Sequence, residues 1–387
     1  MKQNLHFDLL VVGGGILGTF HAYHALNRGL HVALAERTQT PLGATVRNFG
    51  QIVPSGMNLK WQAFGRKSLE VYHAIQARTD IAIRQNGSIY LASDDEELQL
   101  IEELHAINQV NEYPSHLLTA RQCLDRYPAL KTSYCKGGLF FPEEMSANPR
   151  EMIRKVQSFL TSFPKFSHYP GTAITRIDSS GDYCIAEDSR GNIYSSEKII
   201  ICSGSEFNLL YPEHFAESDL EVVQLQMMRL EPQTKVRIPG NILTGLSIRR
   251  YESFADCPSW KVVKAREDAG SFWKKWGIHI LFKQEVDGSI ILGDSHEYAD
   301  ISERDSLDID IKEEISRYFI EEAGKIFDLD NWQIQTQWMG VYSQGKTHDI
   351  YQKTLDNKVH IVTGIGGKGM TASPGFSDYH IQKIFSL

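Results

Sequence analysis

The sequence predicts an α/β fold, and three observations carry that prediction. A β-rich run over residues 7–12 leads at once into Gly13-Gly14-Gly15-Ile16-Leu17-Gly18, then a helical stretch over 19–28 and a second strand over 31–35 ending at Glu36. Near the other end, a strand over 359–362 feeds Gly364-Ile365-Gly366-Gly367-Lys368-Gly369-Met370-Thr371, ahead of a terminal helical stretch. The composition, 42% hydrophobic and 23% charged over 387 residues, suits a globular chain of two or three domains with no need of disulfide or metal staples.

In the first unit each position has a physical reason. Gly13 makes the tight turn, Gly15 lets the backbone approach a pyrophosphate, and Gly18 lets helix and strand pack closely. The helix N-terminus adds N–H donors and positive potential. Glu36 lies 36 − 18 = 18 residues past the last glycine, where a carboxylate binds ribose hydroxyls and repels a 2′-phosphate. Strand, GxGxxG, helix, strand and acid in this order predict a Rossmann-like dinucleotide site. They do not separate FAD from NAD.

Further along, residues 43–52 are too glycine-punctuated for a regular helix and read as a ligand-contacting loop. Asp94-Asp95-Glu96-Glu97 places acids at the positive end of a helix continuing through Leu98, Ile101, Leu104 and Ile107. Residues 149–160 read as a helix. Residues 173–177, 198–202, 224–230 and 278–282 read as strands, and the acid-rich stretch 300–322 as an amphipathic helix.

Charge and cysteine usage exclude other classes. The chain carries 40 Lys+Arg against 48 Asp+Glu, a net charge of −8, so it lacks the basic footprint of a nucleic-acid binder. Five scattered cysteines without CxxC spacing form neither a disulfide framework nor a zinc knuckle. His21 and His24 have no acid or cysteine beside them in a ligand pattern, and His279, His348 and His360 stand isolated, so no metal site is expected. No GxSxG supports hydrolase chemistry. No run of about 18 apolar residues crosses a membrane, and Asp8 with the glycine triplet disqualifies a signal peptide, so a cytoplasmic location is expected.

Residues 11–36, the loop Thr45-Val46-Arg47-Asn48-Phe49-Gly50, the turn Cys202-Ser203-Gly204 and the loop 364–371 together resemble the D-amino-acid-oxidase-like FAD oxidoreductases, the group of glycine oxidase and sarcosine oxidase. The likeness runs nearly end to end. It implies a Rossmann-like FAD-binding domain of the GR2 type over 1–85, 146–215 and 335–387, with an inserted antiparallel-sheet substrate domain over 86–145 and 216–334. It implies that Gly13, Gly15, Ile16, Leu17 and Gly18 meet the pyrophosphate and that Glu36 and Arg37 meet the adenosine. Thr45, Asn48, Gly50 and Gln51 would line the flavin ring. Ala173, Cys202, Gly204 and Gly340 would border the cofactor. Gly367, Lys368, Gly369, Met370 and Thr371 would surround the pyrimidine end, where Lys368 or backbone amides would offset negative charge. No cysteine follows Cys257, so the C-terminal cysteinyl link of some relatives is impossible and non-covalent FAD is expected.

The chain departs from that family at one place. Where amino-acid members carry an arginine for the substrate carboxylate, Trp338-Met339-Gly340-Val341-Tyr342-Ser343 holds Tyr342, and a phenol does not replace a bidentate guanidinium. Residues 290–298 resemble a signature of an aminophosphonate-associated subgroup. A phosphonate wants several donors, for which Arg47, Arg249, Arg250, Lys261, Lys264, His296, Lys346 and Lys368 are candidates. Tyr342, His296, Arg47 and Lys346 are the expected substrate-side residues. The resulting expectation is oxidation of a small anionic amine, with O2 or another acceptor and a possible homo-oligomer. An amino-acid or sarcosine-type oxidase, a 2-hydroxy-acid dehydrogenase and a non-catalytic dinucleotide-binding protein remain alternatives.

Overall fold

The computed structural model describes residues 6–386, so residues 1–5 and 387 of the expected FAD-binding segments lie outside the described residues. Its first sheet is built on the parallel trio Val32–Glu36, His6–Val12 and Ile193–Ile201. Their inner segments, 9–12, 32–35 and 199–201, are continuous apolar runs because both faces are covered, as parallel sheets require. Phe166–Pro170 extends the sheet beyond Val32–Glu36. The long strand Ile193–Ile201 serves two partners on one side. Its first half pairs antiparallel with Cys184–Asp188 and its last residues pair parallel with Val359–Thr363. That second pairing brings the C-terminal glycine loop beside the N-terminal one.

The second sheet is mostly antiparallel. Leu220–Leu230 pairs with Ile334–Gly345 along its whole length, from Leu220 opposite Gly345 to Leu230 opposite Ile334. On its other side it pairs with Ile290–Asp294 near one end and Glu297–Asp300 near the other. His279–Gln284, Asn241–Leu243, Ser88–Ala92, Gly137–Phe141 and His116–Thr119 complete the sheet. A three-stranded patch, Gln51–Ile52, Met145–Ala147 and Ile83–Arg84, forms a third, small sheet.

Helices are placed by local chemistry. In Asp95–Val110, the Asp94 side chain accepts from Glu97 N–H at 2.8 Å. The helix Pro149–Leu160 opens on Asn148, whose side chain accepts from the Arg150 and Glu151 amides. The terminal helix Gly369–Phe385 packs on Leu59–Gln76 so closely that a Cβ at Gly375 would lie 2.2 Å from Phe64 O. Pro374 sits inside that helix, and Gly375 N–H turns out to Ser68 Oγ at 2.9 Å.

The stretch 300–322 is not one helix. Glu297–Asp300 is a strand, Ile301–Ser306 a 3₁₀ turn, and only Glu313–Ile326 is α-helical. Short acids explain the break. The Asp308 carboxylate accepts the Asp310 amide at 3.1 Å, giving the backbone a partner outside a helix. The loop 43–52 holds a 3₁₀ turn at Ala44–Val46 and ends in the strand Gln51–Ile52.

Candidate active site

The first glycine turn shows why glycine is needed. Gly13 has φ +105°, and a Cβ there would lie 2.3 Å from Cys202 O. A Cβ at Gly18 would lie 1.9 Å from Gly13 O, so Gly18 serves helix packing rather than the cavity wall. Glu36 closes the turn from below. Its carboxylate accepts the Gly14 amide at 2.8 Å and the Thr38 amide and hydroxyl at 3.0 and 2.8 Å. Thr45 Oγ1 accepts from Ile16 N–H at 3.0 Å, tying the loop 43–52 to the helix start.

From this turn a cavity of about 790 Å³ runs between the two sheets. That is within the usual range of roughly 300–1,000 Å³ for small-molecule sites. Gly13, Gly15, Ile16, Leu17, Glu36, Arg37 and Ala173 line one end. Thr45, Asn48, Gly50, Gln51, Cys202, Gly204, Gly340, Gly367, Lys368, Gly369, Met370 and Thr371 line the middle, so residues more than 300 positions apart meet on one wall. Arg47, His296 and Tyr342 line the far end.

Two expected residues lie elsewhere in role or place. Lys346 does not line the cavity. Its half-exposed ammonium pairs with Asp300, because the strand Ile334–Gly345 ends before it and turns it outward. Lys368 lines the wall, yet its ammonium reaches Glu252 at 2.8 Å and so is already neutralised by a carboxylate. Among the other basic candidates, Arg249 is bound by Asp94, Glu96 and Glu97 at 2.7–3.3 Å, and Lys264 by Glu267 at 2.7 Å.

The far end also holds Tyr251, His279, Asp294 and Tyr298, to which the sequence assigned no role of their own. His279 is not isolated. Its ring centroid lies 5.5 Å from that of His296, because residues 279 and 294 are paired across adjacent strands. That register is the signal that could have been sought, but it needs the pairing to be known. Burial drives His279 and His296 well below the usual imidazole range, with Arg250 adding to it, so both rings are neutral. Burial likewise pushes the Asp294 carboxyl up to about 7 and the Tyr342 phenol well above its ordinary value.

The residues fit a flavin dinucleotide. A Cβ at Gly204, φ +64°, would meet nothing within 4 Å, so the backbone there stands open to the cavity. The Ser203 hydroxyl beside it is buried with no partner. Apolar Phe49, Val53, Leu225, Met227 and Leu281 wall the space beyond, as a planar ring requires. Among the described residues no helix is long and apolar enough to cross a membrane.

Comparison with known proteins agrees with this geometry. A family model described as FAD dependent oxidoreductase matches residues 8–381. Mitochondrial sarcosine dehydrogenase of Mus musculus is 25% identical over 146 residues, 37% of this chain and 16% of that protein, so the chain spans well under two thirds of that relative. Among solved structures, glycine oxidase from Geobacillus kaustophilus superposes with a TM-score of 0.76 at 14% identity, covering 98% of this chain and 95% of that one. L-proline dehydrogenase from P. horikoshii gives 0.79 at 18% identity, covering 98% and 93%. At such identities the likeness is one of fold.

Proposed function

The chain belongs to the FAD dependent oxidoreductase family, and from that premise we propose that it oxidises a C–N bond of a small amine, an aminophosphonate related to 2-aminoethylphosphonate. The observation that carries this reading is the far end of the cavity. There Tyr342 stands on the strand that holds the carboxylate-binding arginine in amino-acid members, while Arg250 supplies a cation from a different element.

FAD, when bound, supplies the two-electron acceptor for a hydride from the carbon bearing nitrogen. The chain's own task is to place that carbon within about 3–3.5 Å of the acceptor atom. Gly13, Gly15 and the start of the helix Ile16–Asn27 would hold the pyrophosphate, Glu36 the ribose, and residues 367–371 the pyrimidine end. Leu225, Met227, Leu281 and Phe49 exclude water from the reacting atoms. The substrate loses a hydride and a proton, and the imine that leaves is hydrolysed to an aldehyde and ammonia or an amine. Oxygen is the proposed final acceptor, giving hydrogen peroxide.

The segments 1–85, 146–215 and 335–387 are proposed as the cofactor domain and 86–145 with 216–334 as the substrate domain. The reading is tested by anaerobic bleaching of the flavin spectrum with 2-aminoethylphosphonate, its N-methyl and 1-hydroxy derivatives, glycine and sarcosine. Bleaching by the phosphonates and not by the carboxylates is expected. Bleaching by glycine or sarcosine alone overturns the phosphonate assignment and gives Arg250 a carboxylate to bind. Protein that stays colourless with added FAD overturns the whole reading.

A further inference from the structure

Two consecutive arginines meet opposite fates. The four-residue helix Gly245–Ile248 ends at Arg249 and Arg250. Arg249 turns to three carboxylates. Arg250 turns to the cavity, where its guanidinium donates to Gly277 O at 2.7 Å and Tyr298 Oη at 2.6 Å. Among the described residues it has no carboxylate within ion-pair distance, which leaves a cation at a cavity wall without a counter-ion.

Close by is the reverse deficit. Asp294, last residue of the strand Ile290–Asp294, lines the same cavity, and its Oδ1 is sealed from solvent with no hydrogen-bond partner. No ion pair or side-chain hydrogen bond engages this carboxyl among the described residues; the Arg250 charge attracts it from beyond ion-pair distance. One ring nitrogen each of His279 and His296 lies within 4.8 Å of a carboxylate oxygen of Asp294 and of each other. His296 Nδ1 bonds Gly277 O at 2.8 Å. A carbonyl only accepts, so Nδ1 carries the hydrogen and Nε2 of the neutral ring is an acceptor. A carboxylate oxygen sealed from solvent without a hydrogen bond is costly, and a guanidinium bonded only to neutral oxygens keeps its full charge uncompensated.

We propose that the far end of the cavity is a two-point site for a small zwitterion, with the Asp294 carboxylate taking the ammonium and Arg250 taking the anionic head. The inference rests on the functional reading above and names how that substrate is held. A dipolar ligand satisfies both deficits at once. An anion alone pairs with Arg250 but faces Asp294 and lone pairs. A divalent metal satisfies the acceptors but adds charge beside Arg250. The carboxylate end thus selects amines over alcohols, and the guanidinium end selects anions over neutral amines.

The test uses the FAD-loaded protein and a ligand that is not oxidisable. (2-Amino-2-methylpropyl)phosphonate carries no hydrogen on the carbon bearing nitrogen, and its binding is read as a shift of flavin absorbance. Methylphosphonate serves as the anion-only probe. Asp294→Asn is expected to weaken the zwitterion roughly 10- to 150-fold, the range for one charged hydrogen bond, and to leave methylphosphonate within about twofold or tighter. Arg250→Gln is expected to weaken both. Asp294→Glu, which keeps the charge, is expected to recover part of the loss and so excludes a mere folding defect.

Unchanged zwitterion affinity in Asp294→Asn overturns the proposal. So does one equivalent of a transition metal in the purified protein that disappears in Asp294→Asn. If the dead-end ligand binds as expected and no amine bleaches the flavin, the functional reading fails and the subsite stands. Bleaching with no effect of Asp294→Asn sinks the subsite alone.

Discussion

At the Glu36 end of the cavity, the carboxylate is positioned by the protein, accepting from the Gly14 and Thr38 amides and the Thr38 hydroxyl and keeping acceptor capacity on Oε2. At the Asp294 end, among the described residues, a partly buried carboxylate has no hydrogen-bond partner for its Oδ1 and a guanidinium has no carboxylate within ion-pair distance. The first end is fixed in position before any ligand arrives and owes its form to close backbone contacts. The second is left electrically incomplete. Geometry that must fit one invariant cofactor is built from backbone and glycine. Recognition of a particular substrate is left to side chains whose partners the ligand supplies.

That contrast can be broken most severely at Gly13. Gly13→Ala forces a Cβ to 2.3 Å from Cys202 O at φ +105°, so a loss of roughly 3–5 kcal/mol in stability and of most bound FAD is expected. Denaturant titration and flavin content of the purified protein read both. Normal flavin content in that variant would show that the turn is not the rigid end.

The Asp294 end is sharpened by pH. Burial raises the folded carboxyl to about 7, above roughly 3.9 in the unfolded chain. Its protonated form is therefore favoured by folding. The stability it contributes is full below pH ~4 and is lost as pH rises to about 7. Asp294→Asn removes this loss, so without ligand the variant is expected to gain on the wild type across that window, by up to about 4 kcal/mol. Glu144, raised to about 7 by burial, titrates in both proteins and cancels in the difference.

The adjacent arginines give the next comparison. Arg249→Ala strands Glu97, only 4% exposed at its side chain, and is expected to cost about 3 kcal/mol in thermal or denaturant unfolding. Arg250→Ala breaks two hydrogen bonds and no ion pair, so a cost of about 1–2 kcal/mol is expected, with its main effect on ligand affinity. Equal destabilisation by the two would erase the distinction between a structural and a ligand-facing arginine. Smallest of all is Lys346→Ala, expected to leave the unfolding midpoint unchanged and any turnover within about twofold, since its pairing with Asp300 is at the surface.

Much of the cofactor side was legible because its residues act through local backbone form. Gly13, Gly15, the loop around Thr45 and the run Gly367 to Thr371 are each contiguous, and all line the cavity. Lys346 was misjudged because a lysine in a glycine-containing loop reads the same whether the loop faces the cavity or the solvent. The stretch 300–322 was read as one helix because its apolar spacing is helical, while Asp308 diverts the backbone locally. His279 looked isolated because its neighbour His296 lies 17 residues on and meets it through strand pairing.

By itself the sequence determined the Rossmann-like unit, the second glycine loop and the absence of an arginine at position 342, since each is set by neighbours within a few residues and by steric rules for glycine. Only the tertiary structure decided that Arg249 is neutralised and Arg250 is not, and that Asp294 faces two neutral imidazoles. Those facts depend on which distant strand or helix arrives to neutralise or desolvate a charge, and electrostatic energy is set by distance in space, not by distance along the chain.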